Sequence, residues 1–504
     1  MNRREFLKIG GSGALSAGVI TAGGGTGFGA LSLSARAQNA ARPLPIIPMT
    51  DLIDGIDTRF PLLLKTSTHD FGNGGVSKTF GINNDYLGPV IRVKQGQTLP
   101  FDVTNSIDDV STLHWHGLHI PGEVDGGPHQ EIKVGQTWSP DVPIVQHASM
   151  NWFHSHTHGK TSQQTYNGLA GVMLIEDDAS LSADLPKSYG VDDFTLVLQD
   201  KTFNGAGEMS YELTGEVFEE GFLGDTMVVN GAIAPVAQTV PKGLVRLRIL
   251  NACNARFLTL SMASGPVHVI ASDGGFLSST VPAENIVMSP GERYEILVDM
   301  GATDANSLQV EMGGGEGMLG FLGGLFGGGS ASQVLLNLNQ NTDQGFDGTM
   351  PDKLANMDVP DPSQATITRS FELNMGGGTD FNALALAWGN ICGDGAMGIN
   401  GQPMNMDRID QKVRKGDTEI WRMTVDEDVH PFHIHGCSFR ILSQQGATPP
   451  SYAQGWKDMV HVEGGWSEVL VKFDYEAPEN APYMYHCHIL EHEDCGMMGQ
   501  FTVG

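Results

Sequence analysis

Positive charge is scarce in this chain. Lys and Arg number 29 against 58 Asp and Glu, a formal net charge of −29. That balance argues against a nucleic-acid partner and favours a surface field that attracts cations, or one that simply keeps the chain soluble. Charged residues of both signs reach only 17%, while Gly reaches 66 of 504. Both values suit a loop-rich β protein better than a helical one. Beyond the N-terminal region no stretch is long and apolar enough to cross a bilayer. Cysteine is also scarce, five residues and an odd number, so in an oxidising compartment at least one stays unpaired. A length of 504 residues allows two to four domains with sizeable cores.

The first residues read as an address. Asn2-Arg3-Arg4-Glu5-Phe6-Leu7-Lys8 resembles the twin-arginine export motif, a Gly/Ala-rich region from Ile9 to Leu33 follows, and Ala35-Arg36-Ala37 fits a cleavage site. The expectation is a signal peptide over 1–37, the twin-arginine export machinery as a partner, and a periplasmic mature protein without a transmembrane segment.

Short apolar runs cut by Gly, Asn and Asp then predict strands. Examples are Gly88–Val93, Leu99–Val103, Gly168–Glu176, Phe194–Gln199 and Tyr294–Val298. Val245-Arg246-Leu247-Arg248-Ile249-Leu250 alternates cleanly and predicts one buried and one wet face. Linkers are expected at 179–192 and 340–365, which leaves three similar segments, 43–180, 190–345 and 365–504. The middle one holds a single His, His268, and reads as a structural spacer. The Gly-rich run Gly313–Gly329 reads as a loop or plug, or as a lid that offers the thioether of Met318 to a soft metal ion.

The chemistry concentrates in four motifs: His114-Trp115-His116, His154-Ser155-His156, His433-Ile434-His435 and His486-Cys487-His488. Alternate residues of a strand share a face, so each motif offers two imidazoles to one side. Four such pairs can enclose a multi-metal cluster. His430, Cys487, His492 and Met497 are left over. Two His, one Cys and a weak axial Met are the ligand set of a blue-copper site. Structural zinc seldom needs more than four ligands and does not call for eight His. His69, His119, His129, His147, His268 and His461 read as ordinary surface or core residues. Cys437 and Cys495 lie near these motifs, where a disulfide between them is one pairing that spacing alone cannot establish. Cys253 reads as a small buried hydrophobe.

The motifs resemble those of the multicopper oxidases, more closely the bacterial copper-efflux (cuprous) oxidase and laccase-like branch. Further stretches carry the likeness: Leu113–Leu118, Pro121-Gly122-Glu123-Val124-Asp125-Gly126-Gly127-Pro128, Ala271-Ser272-Asp273-Gly274-Gly275 and Glu491-His492-Glu493-Asp494. The resemblance implies an all-β chain of three cupredoxin-like Greek-key β-sandwich domains. It implies four copper ions, with His114 and His433 on the type 2 ion and His116, His154, His156, His435, His486 and His488 on the type 3 pair. His430, Cys487, His492 and Met497 would hold the type 1 ion. It further implies four-electron reduction of O2 to water, Asp125 and Glu493 as proton relays, and Asp426 as a candidate site for substrate copper.

Three functions follow from that resemblance. One is a cuprous oxidase that oxidises Cu(I) in periplasmic copper detoxification. Another is a laccase-like oxidase of phenols or other small organic reductants. The last is a non-enzymatic cupredoxin-fold scaffold, as in divisome relatives without copper ligands; the filled ligand positions speak against it. The stretch from Asn374 to Met406 holds only Met375, Met397, Met404 and Met406, a thin thioether supply for Cu(I).

Overall fold

In the first sandwich, strand Thr98–Ser106 alternates buried and open residues along its length, the period-two pattern of a sheet with one face on a core. With Phe60–His69 and Ser77–Ile82 it forms one sheet. The facing sheet runs in the order Met49–Asp51, Val90–Lys94, Ala170–Glu176, Ser149–His154, His114–His116. Leu62, Phe101, Ile91, Trp115, Phe153 and Met173 meet between them. The structure, a computed structural model, describes residues 41–312, 332–357, 360–375, 397–425 and 428–504, without the side chains of 215, 216 and 218.

A second pair of sheets follows, with Asp193–Phe203, Leu244–Asn251 and Arg293–Asp299 adjacent in one and Val236–Lys242, Gln333–Gln344 and Ala305–Met312 adjacent in the other. The third pair sets Ile367–Asn374, Thr418–Val425 and Trp466–Lys472 against a sheet ordered Gln411–Val413, Met498–Val503, Tyr483–Cys487, Val429–Ile434, Met459–Glu463. Its core is aromatic: Phe371, Trp421, Phe432, Tyr485 and Phe501. The protein is thus all-β, three cupredoxin-like sandwiches in series, and Ala41–Gly504 folds as one unit. Among the described residues no helix is long and apolar enough to cross a membrane.

Two expectations need correction. Leu244–Asn251 has no wet face, since all eight residues are buried. Arg246 donates to Glu295 and Arg248 makes a two-pronged contact with Asp193 at 2.8 and 2.7 Å, with Glu176 of the first sandwich 3.7 Å away. The alternation is real, but its polar face is satisfied by buried ion pairs rather than by water. The Cys437–Cys495 pairing also fails: Cys437 is free and buried, as are Cys253 and Cys487, whereas Cys495 is disulfide-bonded. Met397, one of the four candidate thioethers, is packed into the third core. The signal peptide, the run 313–329, Cys392 and Asp426 lie outside the described residues.

Candidate metal centres

Strand register brings the motifs together. Ser149–His154 runs antiparallel to His114–His116 with His154 opposite His114. Tyr483–Cys487 runs antiparallel to Val429–Ile434 with His486 opposite His433. Side chains directly opposite on one sheet face lie close, so each sheet presents a group of imidazoles. Only the first pair lies wholly within a strand. His156, His435 and His488 sit just past the ends of theirs, and the alternation carries over those ends.

The groups from the first and third sandwiches interleave. His114 stacks on His435 with centroids 3.9 Å apart, and His116 stacks on His433 at 3.8 Å. His156 and His435 each bring Nε2 within 3.3 Å of His486 Nε2. His488 lies 5.1 Å from His116, centroid to centroid. None of the eight rings is more than 1% exposed. Burial disfavours their charged forms: it pulls His116, His154, His156, His433, His435 and His488 well below the usual imidazole range, and His486 down to about 3.

On six of these neutral rings one nitrogen faces an oxygen outside the cluster. Nδ1 of His114, His154, His433 and His486 faces a backbone carbonyl at 2.8–3.0 Å, those of Asp125, Ser155, Asp458 and Cys487. His435 Nδ1 faces Asp125 Oδ2 at 2.8 Å. Other ring nitrogens are left over: Nε2 of His114, His154 and His433, Nδ1 of His116 and His156, and both nitrogens of His488 are buried without a hydrogen-bond partner. Unpaired buried polar atoms are costly. In His114, His116, His154 and His433 the other ring nitrogen faces an oxygen that can take the proton, so the partnerless nitrogen offers a lone pair to a cation, and imidazole suits copper.

Two carboxylates stand behind the rings. Asp125 is 1% exposed and reaches both His435 and, at 3.4 Å, His114. Glu493, also 1% exposed, sits 3.3 Å from His156 Nδ1 through one oxygen and 3.3 Å from His486 Nδ1 through the other. Burial, then the neighbouring Asp494, raises its pKa well above the usual carboxylate range. Asp494 is itself pushed up to about 7 by burial, and it accepts from the backbone of Thr161 and Ser162, tying the first sandwich to the third.

Cys487 points to the other side of its strand. Its Sγ lies 3.4 Å from His430 Nδ1 and 3.8 Å from His492 Nδ1, and those nitrogens are 3.2 Å apart. All three residues are buried. Backbone bonds hold Met497 beside them: Cys487 N–H donates to Met497 O, and Met497 N–H donates to His492 O. The N–H of Ile489 donates to the sulfur. Without an ion, burial pushes the thiol pKa far up. An ion would supply the missing stabilisation of the thiolate. A cavity of about 410 Å³ opens beside His492, lined by Leu223, Phe257, Tyr294, Tyr452 and Ile489. His461, expected to be ordinary, lines it too and pairs with buried Glu292 at 2.6 Å.

Sequence reasoning missed Asp458 and Arg293. Asp458 touches two cluster rings, and Arg293 of the middle sandwich binds Asp458. No local signal marks them, because the partners lie 165 residues apart and each sits at the edge of an ordinary strand.

Three cupredoxin sandwiches, a buried eight-imidazole cluster between the first and third, and a His2Cys group one residue away define the class of multicopper proteins. Family models described as multicopper oxidase match residues 65–180, 150–311 and 365–504, and the chain belongs to that family. Among curated proteins it is similar to the cell division protein FtsP of Escherichia coli (strain K12), 34% identical over 100% of this chain and 99% of the relative. FtsP of Sodalis glossinidius is 36% identical over 94% of this chain and 95% of its own. Among solved structures it is similar to CueO of Ochrobactrum sp., described as a laccase-like multi-copper oxidase with oxidase activity towards lignin model compounds and lignosulfonate. That match has a TM-score of 0.83 and 40% identity, covering 92% of this chain and 100% of the other. McoA, a multicopper oxidase of Aquifex aeolicus, gives a TM-score of 0.79 at 29% identity, covering 92% and 100%.

Proposed function

We propose that this protein is a copper-loaded oxidase that couples one-electron oxidation of a small reductant to reduction of O2 to water. The observation that carries this reading is the set of inward, partnerless imidazole nitrogens beside the His430–Cys487–His492 group. His430, Cys487, His492 and Met497 would hold a type 1 ion, His114 and His433 a type 2 ion, and His116, His154, His156, His435, His486 and His488 a type 3 pair. When bound, four copper ions would supply the one-electron redox steps that four-electron reduction of O2 requires.

The chain's own residues do the rest. Cys487 is joined by a peptide bond on either side to His486 and His488, so one strand end connects the two sites covalently. Asp125 orients His435 through its carboxylate and His114 through its carbonyl. Glu493 lies between His156 and His486, and burial favours its protonated form, which suits a donor of protons to reduced oxygen. Burial of all eight rings keeps bulk water from the cluster.

The cavity beside His492 supports an organic reductant, since aromatic and aliphatic walls are what a phenol or similar ring would need. Cu(I) is the second reading. Acidic residues at the same cavity, Asp428, Glu219 and Glu463, support it, as does Asp426 in the resemblance. O2 uptake with a phenol and with Cu(I), each with and without added Cu(II), separates the two. Equal phenol oxidation with and without Cu(II) supports the organic reductant. Stimulation by Cu(II) that is lost in Asp426→Ala supports a substrate copper. The names of the FtsP relatives support a role in cell division, which a non-enzymatic scaffold could fill, but a scaffold would have no use for a complete ligand set. A protein that stays colourless when loaded with copper would favour the scaffold.

We also propose twin-arginine export to the periplasm. Replacing Arg3 and Arg4 together by Lys should leave the full-length precursor in the cytoplasm, seen by fractionation and intact mass. Normal export of that variant would sink the assignment.

A further inference from the structure

Most cluster rings present Nε2 inward, because a carbonyl or carboxylate takes the proton on Nδ1. His116 is turned the other way. Its Nε2 faces Asp458 Oδ1 at 3.3 Å and its Nδ1 is the buried nitrogen without a partner. Its neighbour His433, stacked on it at 3.8 Å with planes 10° apart, has the opposite arrangement, with Nδ1 2.8 Å from the carbonyl oxygen of the same Asp458. One residue therefore sets the two rings in opposite senses, through its carboxylate for one and its carbonyl for the other.

Asp458 is in turn held by Arg293, which is 0% exposed. Nη1 and Nη2 of Arg293 donate to the two carboxylate oxygens at 2.7 and 2.6 Å. Its remaining donors go to the carbonyls of Met150, Gly291 and Asp273 at 2.9, 3.0 and 3.3 Å. Met150 lies on the strand that carries His154, Gly291 and Asp273 belong to the middle sandwich, and Asp458 belongs to the third. One guanidinium therefore joins all three sandwiches behind the cluster. Asp273 completes the frame, accepting from the Arg293 backbone at 2.8 Å and from Lys457 Nζ at 2.9 Å. Gly117, directly after His116, leaves the room: a Cβ there would stand 2.5 Å from Asp458 Oδ2 and 2.8 Å from Arg293 Nη2, in a backbone conformation with φ +84°.

We propose that Asp458 and Arg293 are positioning residues that fix which ring nitrogen His116 and His433 present, and that the middle sandwich imposes this choice. A half-turn of the His116 ring would take Nε2 away from its acceptor. With Asp458 clamped at both oxygens, the carboxylate cannot follow. The planar fork of Arg293 matters because a lysine would offer a single point of charge and could not hold both oxygens in one plane. The middle sandwich, which supplies no ligand, thereby shapes the metal site. The inference rests on His116 and His433 being copper ligands.

The test compares Asp458→Asn, Arg293→Lys and the control Arg248→Lys, which alters another buried middle-sandwich arginine, paired with Asp193 and Glu295 and near Glu176 of the first sandwich. Copper retention against a chelator and electron paramagnetic resonance spectra are read on copper-loaded protein. Asn at 458 is nearly isosteric, so it keeps the test alive if Arg293→Lys folds poorly. The expected result is cluster copper held about 10- to 100-fold more weakly in Asp458→Asn, less so in Arg293→Lys, with the blue absorption unchanged in both. Arg248→Lys should match the wild type. Wild-type retention and cluster spectra in Asp458→Asn, or an equal loss in Arg248→Lys, would overturn the proposal. Wild-type protein that binds no copper would instead remove the ligand reading beneath it.

Discussion

Replacing Cys487 by Ser is expected to abolish the blue absorption and reduce reductant-driven O2 uptake to background, while leaving the eight-imidazole cluster able to hold copper. The sulfur is the soft donor of the His430–Cys487–His492 group, and a serine oxygen is a hard donor that does not stabilise Cu(I) in the same way. The substitution is nearly isosteric, so Phe432 and Tyr485 can keep their packing in the third core. His486 and His488 keep their positions because strand pairing sets them, His433 opposite His486, and the thiol does not. The separation of effects is the informative part. Copper content and the type 2 resonance persist while the blue band goes. Full turnover in this variant would mean that electrons enter elsewhere.

Glu493→Gln should cut turnover by about 10²- to 10⁴-fold, the usual range for loss of a positioned proton donor. Gln fills the same space between His156 and His486 but carries no transferable proton. Burial disfavours the Glu493 carboxylate and keeps its proton in place at higher pH than an exposed carboxyl would. The copper complement and the blue band should be unchanged, so the loss should appear in reoxidation of the reduced protein by O2. Stopped-flow recovery of the blue band measures that step directly. Wild-type recovery in Glu493→Gln would assign the proton supply to Asp125 or to water.

The four His-x-His motifs were readable because a metal cluster demands unusual residue types at a fixed spacing, and strand alternation turns spacing into a shared face. His430 and Cys487 were readable by parity and His492 as a ligand type left over, and the structure brings the three together in one buried group. Parity misled at Arg246 and Arg248, where the alternate face is buried by ion pairs within the middle sandwich, with Glu176 of the first sandwich close by. A single strand's pattern cannot say what covers it. Asp458 and Arg293 were unreadable for a related reason: their role exists only after three sandwiches meet, and the contact spans 165 residues. The cavity beside His492 is likewise assembled from distant pieces, among them Phe257, Tyr452 and Ile489.

The measurement that bears most directly on the central claim is copper content of the reconstituted full-length protein, read with its absorption and electron paramagnetic resonance spectra. Four copper ions per chain, a blue band from the Cys487 site, a type 2 signal and a magnetically silent type 3 pair are expected. A folded, colourless protein that retains no copper after removal of excess metal would contradict it, and would leave a cupredoxin scaffold as the better description of this chain.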